Sequence, residues 1–176
     1  YKASKTNSFH RMPLAYLAGL DWPFAQGQFP YITYENRLSL SDRVMYIGIR
    51  DIDPYEAKQI SRYNIPFVTV SEMRTDPGAS IKRVLEWVDG SPLHLSFDVD
   101  AIDPGEVPST GTPVSKGLSS IEANEIVDSL RDTNVVNIDI TELNMGIGHT
   151  LDRSRSLANV SRVFANLFNP RRANSN

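Results

Sequence analysis

The stretch Leu93-His94-Leu95-Ser96-Phe97-Asp98-Val99-Asp100-Ala101-Ile102-Asp103-Pro104 decides how the rest of the chain is read. Leu93, Leu95, Phe97 and Val99 alternate with small or polar residues, which is the pattern of a strand. Gly90, Ser91 and Pro92 mark its start, and Pro104 with Gly105 stops it. Asp98, Asp100 and Asp103 fall where the strand runs out. Side chains two apart on a strand share a face, so Asp98 and Asp100 converge. Two carboxylates that close repel each other, and a hard divalent cation such as Mg²⁺, Ca²⁺ or Mn²⁺ relieves the repulsion. The competing reading makes the Asp-x-Asp pair a cap of the following turn or helix. Its place, after an apolar strand and before a long Gly/Pro/Thr loop, matches how α/β sheets present ligands at their carboxyl ends.

Outward from that strand, buried elements of two kinds alternate. Arg43–Ile49 and Asn134–Ile140 are nearly continuous apolar runs, as buried parallel strands are, and Pro66–Val70 is a short third strand. Helices are predicted over Pro13–Leu20, with Pro first and Gly near the end, and over Pro54–Tyr63. Ala79–Val88 and Leu151–Phe168 carry apolar residues at helical spacing, and Ser119–Leu130 opens with Ser119 and Glu122, a capping-box pair. Asp21–Leu40 reads as an irregular surface excursion. The alternation predicts an α/β fold: a three-layer α/β/α arrangement with a mainly parallel sheet, in one domain over residues 1–176.

Composition narrows the function. The 176 residues are 40% hydrophobic and 22% charged, which is ordinary for a globular domain with a real core. A net charge of −3 gives no cause to expect a nucleic-acid or membrane partner. The absence of cysteine excludes a disulfide framework and thiolate metal ligands. No apolar run approaches the roughly 20 residues of a membrane span, and no secretory signal is visible at the start. The chain opens on Tyr1 in a polar segment, so it is expected to be a piece of something longer.

Three predicted strands deliver acid at their carboxyl ends: Asp51 and Asp53, then Asp98, Asp100 and Asp103, then Glu142. In a parallel sheet those ends share one edge. The result is an anionic cup suited to metal ions and a cationic substrate. Pro108–Pro113 adds hydroxyls and backbone N–H groups beside it. His10, ahead of the first helix, is either a surface or packed histidine or a proton carrier, its unperturbed pKa being about 6.5. His94 reads as structural, Asp51 as structural beside Arg50, and Asp103 as a brace of the loop.

These residues also carry a likeness. Ser96–Pro104, then Thr110-Gly111-Thr112-Pro113-Val114 and Gly117-Leu118, resembles the arginase signature of the ureohydrolase superfamily. Tyr46–Pro54 with Glu56, and Asp139–Asn144, resemble two further arginase segments, in the family's order and spacing. The resemblance implies a two-manganese enzyme of the arginase/deacetylase-like fold, with the first part of that fold absent, hydrolysing arginine to ornithine and urea. It implies that Asp98 bridges both Mn²⁺ ions and Asp100 binds one. By the same resemblance Glu142 faces the guanidinium beside Thr112, Asp53 and Glu56 hold the α-amino group, Thr6 and Ser8 hold the α-carboxylate, and His10 shuttles protons. Four of the six implied metal ligands are expected upstream of Tyr1, so this piece alone is expected to be inactive. The family also implies a homotrimer or hexamer, and a cytoplasmic or mitochondrial location. The alternatives are a catalytically silent arginase-like subunit, and a ureohydrolase of another guanidino compound such as agmatine.

Overall fold

The computed structural model describes residues 13–20, 31, 33 and 35–167. In chain order the elements are α1 (Pro13–Leu17), α2 (Leu40–Arg43), β1 (Tyr46–Ile49), α3 (Pro54–Arg62), β2 (Phe67–Thr69), α4 (Val70–Thr75), α5 (Pro77–Val88), β3 (Leu93–Asp98), α6 (Ser120–Ser129), β4 (Val135–Thr141) and α7 (Thr150–Val163). A single 3₁₀ turn, Val99–Ala101, follows β3. The expected alternation of strand and helix is present, and β3 pairs with β4 in parallel. β1 and β2 form a second two-stranded sheet. The expected elements are all found, with ends that differ by one to five residues; most are shorter, while α5 begins two residues earlier at Pro77. Two short helices, α2 and α4, were not legible as such, because four and six residues are too few for a 3.6-residue period to show.

The chain divides into two compact units, residues 1–47 with 52–67, and residues 48–51 with 68–176. In the first, Ala18, Leu40, Val44 and Ile65 are buried, and Leu14, Leu38, Ile60 and Tyr63 pack on them. Pro54 stands first in α3, where its missing N–H costs nothing. The Leu38 N–H donates to the Leu17 carbonyl at 2.7 Å, tying the segment before α2 to α1.

The second unit has its core under β3. Phe97 is buried edge-on against Phe164, ring centroids 5.2 Å apart and planes at 81°. Val99, Ile102, Val107, Leu130 and Val163 are almost wholly removed from water. β4 departs from the expected buried strand: Val136 is 62% and Ile140 47% exposed. Its apolar composition suits a strand covered on both faces, but among the described residues its strand partner is β3 alone. Ile121 and Leu157, which fit the helical apolar pattern, also face solvent, while Ile126, Val160 and Val163 supply the buried stripe.

Helix starts in this unit are set by reciprocal caps. The Ser119 hydroxyl accepts the Glu122 N–H at 3.1 Å, and Glu122 accepts the Ser119 N–H at 2.6 Å, as its sequence pattern foretold. Thr69 and Glu72 repeat the device at α4, and Arg83 donates to Glu72 at 3.1 Å. The backbone and hydroxyl bonds from Thr69, then Arg83, lower the Glu72 pKa to about 2. A lowered carboxylate pKa stabilises the fold above its ordinary value of 4.5, and that stability is lost as pH falls toward 2. Glu72→Gln is therefore expected to cost ~0.5 kcal/mol at pH 7, the modest value of an exposed ion pair. The gap from wild type should close in urea titrations repeated near pH 2.

Candidate active site

Parallel pairing sets the site. The register aligns Phe97 with Ile140 and Asp98 with Thr141, so β3 and β4 end level with each other. Asp98 is the last residue of β3, and Glu142 follows β4 directly. Glu142 has φ of +65°, the left-handed region that non-glycine residues seldom occupy. Backbone in that region is held by its surroundings at some cost, and it recurs at functional sites.

Asp98 accepts the Asp100 N–H at 2.8 Å, which closes the 3₁₀ turn and brings the two side chains to the same strand end. Removal from water is the largest influence on Asp98 and pushes its pKa up; the Asp100 N–H pulls it down, the Asp100 and Glu142 charges raise it further, and Arg50 opposes them. Asp98 thus feels the charges of both Asp100 and Glu142. The Asp100 carboxylate is gripped by two hydroxyls, Thr110 Oγ1 on Oδ1 and Thr112 Oγ1 on Oδ2.

The loop bearing those hydroxyls is tied at both ends. At its start Asn144 donates to the Ser109 carbonyl at 2.9 Å, Thr110 bridges antiparallel to Leu143, and Ser109 is fully buried with its N–H on Ser156 Oγ at 3.0 Å. At its end Leu118 donates to Ala101 and Asp103 to Leu118, both at 2.8 Å. Asp103 accepts N–H groups from Gly105 at 2.9 Å and Gly117 at 3.2 Å, and these bonds, the Gly105 one foremost, lower its pKa. Midway, the Arg50 guanidinium donates to the carbonyls of Asp100 at 2.5 Å, Val114 at 2.7 Å and Ser115 at 3.3 Å.

In the first unit, Asp53 and Glu56 meet each other. Asp53 Oδ1 accepts from the N–H groups of Tyr55 and Glu56 at 2.7 and 2.9 Å, and Glu56 Oε2 accepts the Asp53 N–H at 3.2 Å. The pair is a capping box on α3 that gathers two carboxylates at a helix start.

A model of the arginase family matches residues 2–165. The chain belongs to the arginase family. The arginase of Glaciozyma antarctica is 34% identical over 165 residues, covering 88% of this chain and 48% of that one. The native arginase of Bacillus caldovelox superposes with a TM-score of 0.79 at 26% identity, covering 96% of this chain and 56% of that one. The Entamoeba histolytica arginase, solved in complex with L-ornithine, gives 0.77 at 28% identity, covering 93% and 54%. The chain spans about half the length of the relatives it matches.

Within the arginase-family frame, the expected residues sort into three groups. Asp98, Asp100, Thr112 and Glu142 come together at the ends of β3 and β4. Asp53 and Glu56 come together in the other unit. Thr6, Ser8 and His10 lie outside the described residues. Asp103 braces the loop, as expected of it. His94 is held on the sheet surface by Asp139 at 2.8 Å, with Asn137 at 3.3 Å. Thr110, expected only among the hydroxyls of Pro108–Pro113, shares the Asp100 carboxylate with Thr112, two positions on. One contributor escaped the sequence reading. Arg50 acts from 50 residues away in sequence, which no local pattern shows.

The donor set suits a hard cation in part. Asp98 and Asp100 supply crowded carboxylates that a divalent ion would neutralise. Among the described residues no group of three or more His, Cys, Asp or Glu side chains converges as metal ligands do. The two aspartates thus fit a share of a metal centre rather than a whole one.

Gly117 is the tightest point of the loop closure. A Cβ there would lie 2.5 Å from the Asp103 nitrogen and 2.6 Å from the Ile102 carbonyl carbon, both backbone atoms. Gly117→Ala is expected to destabilise the fold by about 3 kcal/mol, the upper part of the usual overpacking range. A denaturant midpoint within error of wild type would contradict the closure described.

Proposed function

We propose that this chain takes part in the manganese-dependent hydrolysis of L-arginine to L-ornithine and urea. The observation that carries the reading is the convergence of Asp98, Asp100 and Glu142 at one sheet end in an arginase-family chain. In this reading Asp98 and Asp100 hold Mn²⁺, as part of a two-ion centre. The ions, when bound, supply the Lewis acidity that makes water a nucleophile at neutral pH.

The chain's own residues do the rest. Glu142 accepts charge-assisted hydrogen bonds from the substrate guanidinium and orients its carbon toward attack. Thr110 and Thr112 hold the Asp100 carboxylate in one orientation, and Thr112 borders the guanidinium. Asp53 and Glu56 take the α-amino group; both sit at a helix start whose capping box fixes their rotamers. Thr6 and Ser8 hold the α-carboxylate, and His10 gives the leaving amine its proton. Water adds to the guanidinium carbon, the bond from that carbon to the chain nitrogen breaks, and the nitrogen leaves as the ornithine amine. The L-ornithine held by the Entamoeba arginase supports this substrate class. Assembly as a trimer or hexamer belongs to the same proposal.

The test uses the intact protein with Mn²⁺. Urea release should be faster from arginine than from agmatine, which lacks the α-carboxylate. Asp98→Asn is expected to abolish both activities and release Mn²⁺. Asp53→Ala is expected to slow arginine turnover sharply while leaving that of δ-guanidinovalerate, which keeps the carboxylate and lacks the α-amino group, near its wild-type value. Equal damage to both substrates would argue against Asp53 as the α-amino contact, and faster agmatine turnover in wild type would move the substrate assignment.

A further inference from the structure

We propose that Arg50 is a positioning residue for the metal-binding end of β3, an inference that rests on the metal-centre reading of Asp98 and Asp100. A guanidinium presents five N–H donors in a rigid fork. Here one guanidinium spans the Asp100 carbonyl and two loop carbonyls, those of Val114 and Ser115. Arg50 is itself half-buried at the end of β1, so its head group is held in place.

The consequence follows from how Asp100 is held. Its carboxylate takes both hydroxyl bonds from Thr110 and Thr112, which belong to the loop. Its backbone belongs to the strand end. Loop and strand end are therefore two bodies, and the carboxylate is oriented only while they keep a fixed separation. The loop's start and end are tied through Leu143, Ala101 and Leu118. Between those ties, residues 111–116 are mostly exposed, and Lys116 takes φ of +64° to turn the chain back. Arg50 is the described group that bonds the Asp100 backbone and this mid-loop segment at once. It sets the direction of the Asp100 carboxylate without touching metal or substrate, as outer partners of metal ligands commonly do.

Lysine in its place is a point charge on a flexible stem. It can reach one carbonyl but does not reproduce the fork. The experiment compares wild type, Arg50→Lys and Arg50→Ala in the intact protein. Amide hydrogen exchange is followed across residues 110–117 without metal, and urea release from arginine is titrated with Mn²⁺. Exchange over 110–117 is expected to quicken in Arg50→Ala and by less in Arg50→Lys. The Mn²⁺ concentration for half-maximal rate should rise about 10–100-fold in Arg50→Ala. KM at saturating Mn²⁺ should stay near wild type, and added Mn²⁺ should restore much of the rate. That recovery separates positioning from mere loss of fold, which metal at these levels would not repair.

Unchanged exchange at 110–117 together with an unchanged Mn²⁺ requirement in Arg50→Ala would overturn the proposal. Should Arg50→Ala not fold, the same two readouts on Arg50→Lys decide. Should wild type release no urea, the function proposed above fails by itself, and the exchange comparison alone decides the role of Arg50.

Discussion

The parallel pairing of β3 with β4 is the constraint on which the site depends. Because Asp98 stands opposite Thr141, the two strands finish at one level, and Glu142 arrives beside the aspartates instead of a turn above or below them. Side chains on a strand alternate faces, so a slip of one residue would turn Asp98 and the buried Phe97 to opposite sides. The core and the site thus share one register. Phe97 against Phe164 holds that register from the buried face, while the carboxylates occupy the other. A fold that keeps its apolar contact keeps its acidic end aligned as a by-product.

Carboxylates drawn together repel, and something must oppose that. In the second unit the opposition is distributed. Asp100 is taken up by two threonine hydroxyls, Asp98 by a backbone N–H, and Arg50 brings a positive charge to the same strand end. None of these removes the charge; burial first, then the Asp100 and Glu142 charges, still raise the Asp98 pKa. The residual repulsion is what a divalent cation would relieve, so the polar bonds hold geometry and leave room for affinity. Asp103 shows the contrast. It follows the pair by three residues, yet N–H groups from Gly105 and Gly117 lower its pKa, and its work is to close the loop.

The legible part of this molecule was whatever local chemistry determines. Strand β3 was visible because alternation and the Gly90-Ser91-Pro92 break are local, and α6 because Ser119 and Glu122 cap it within four residues. The acidic strand ends were visible because carboxylates after an apolar run have few other uses. Tertiary matters were not visible. The burial of a strand depends on what covers it, so β4, with its Val/Ile composition, reads as buried and is largely exposed. Asp53 and Glu56 were read for their charge, but their separation of three is also that of a capping box, and the structure shows that use. Arg50 was invisible because its partners lie 50 to 65 residues further on.

Capping and recognition ask for the same residue types at the same spacing: an acid before a helix, a second acid three positions later. The two roles are compatible, since a carboxylate has two oxygens and a cap occupies one. Asp53 accepts through Oδ1 and Glu56 through Oε2, and the backbone bonds that do so also stop both side chains from rotating. A carboxylate fixed in this way loses less rotamer entropy when it meets a cation than a free surface acid would. The capping box is therefore an argument for recognition at α3 as much as an account of how α3 begins. The same logic runs through Asp98, whose turn-closing bond to Asp100 holds one metal-ligand candidate still with the backbone of the other.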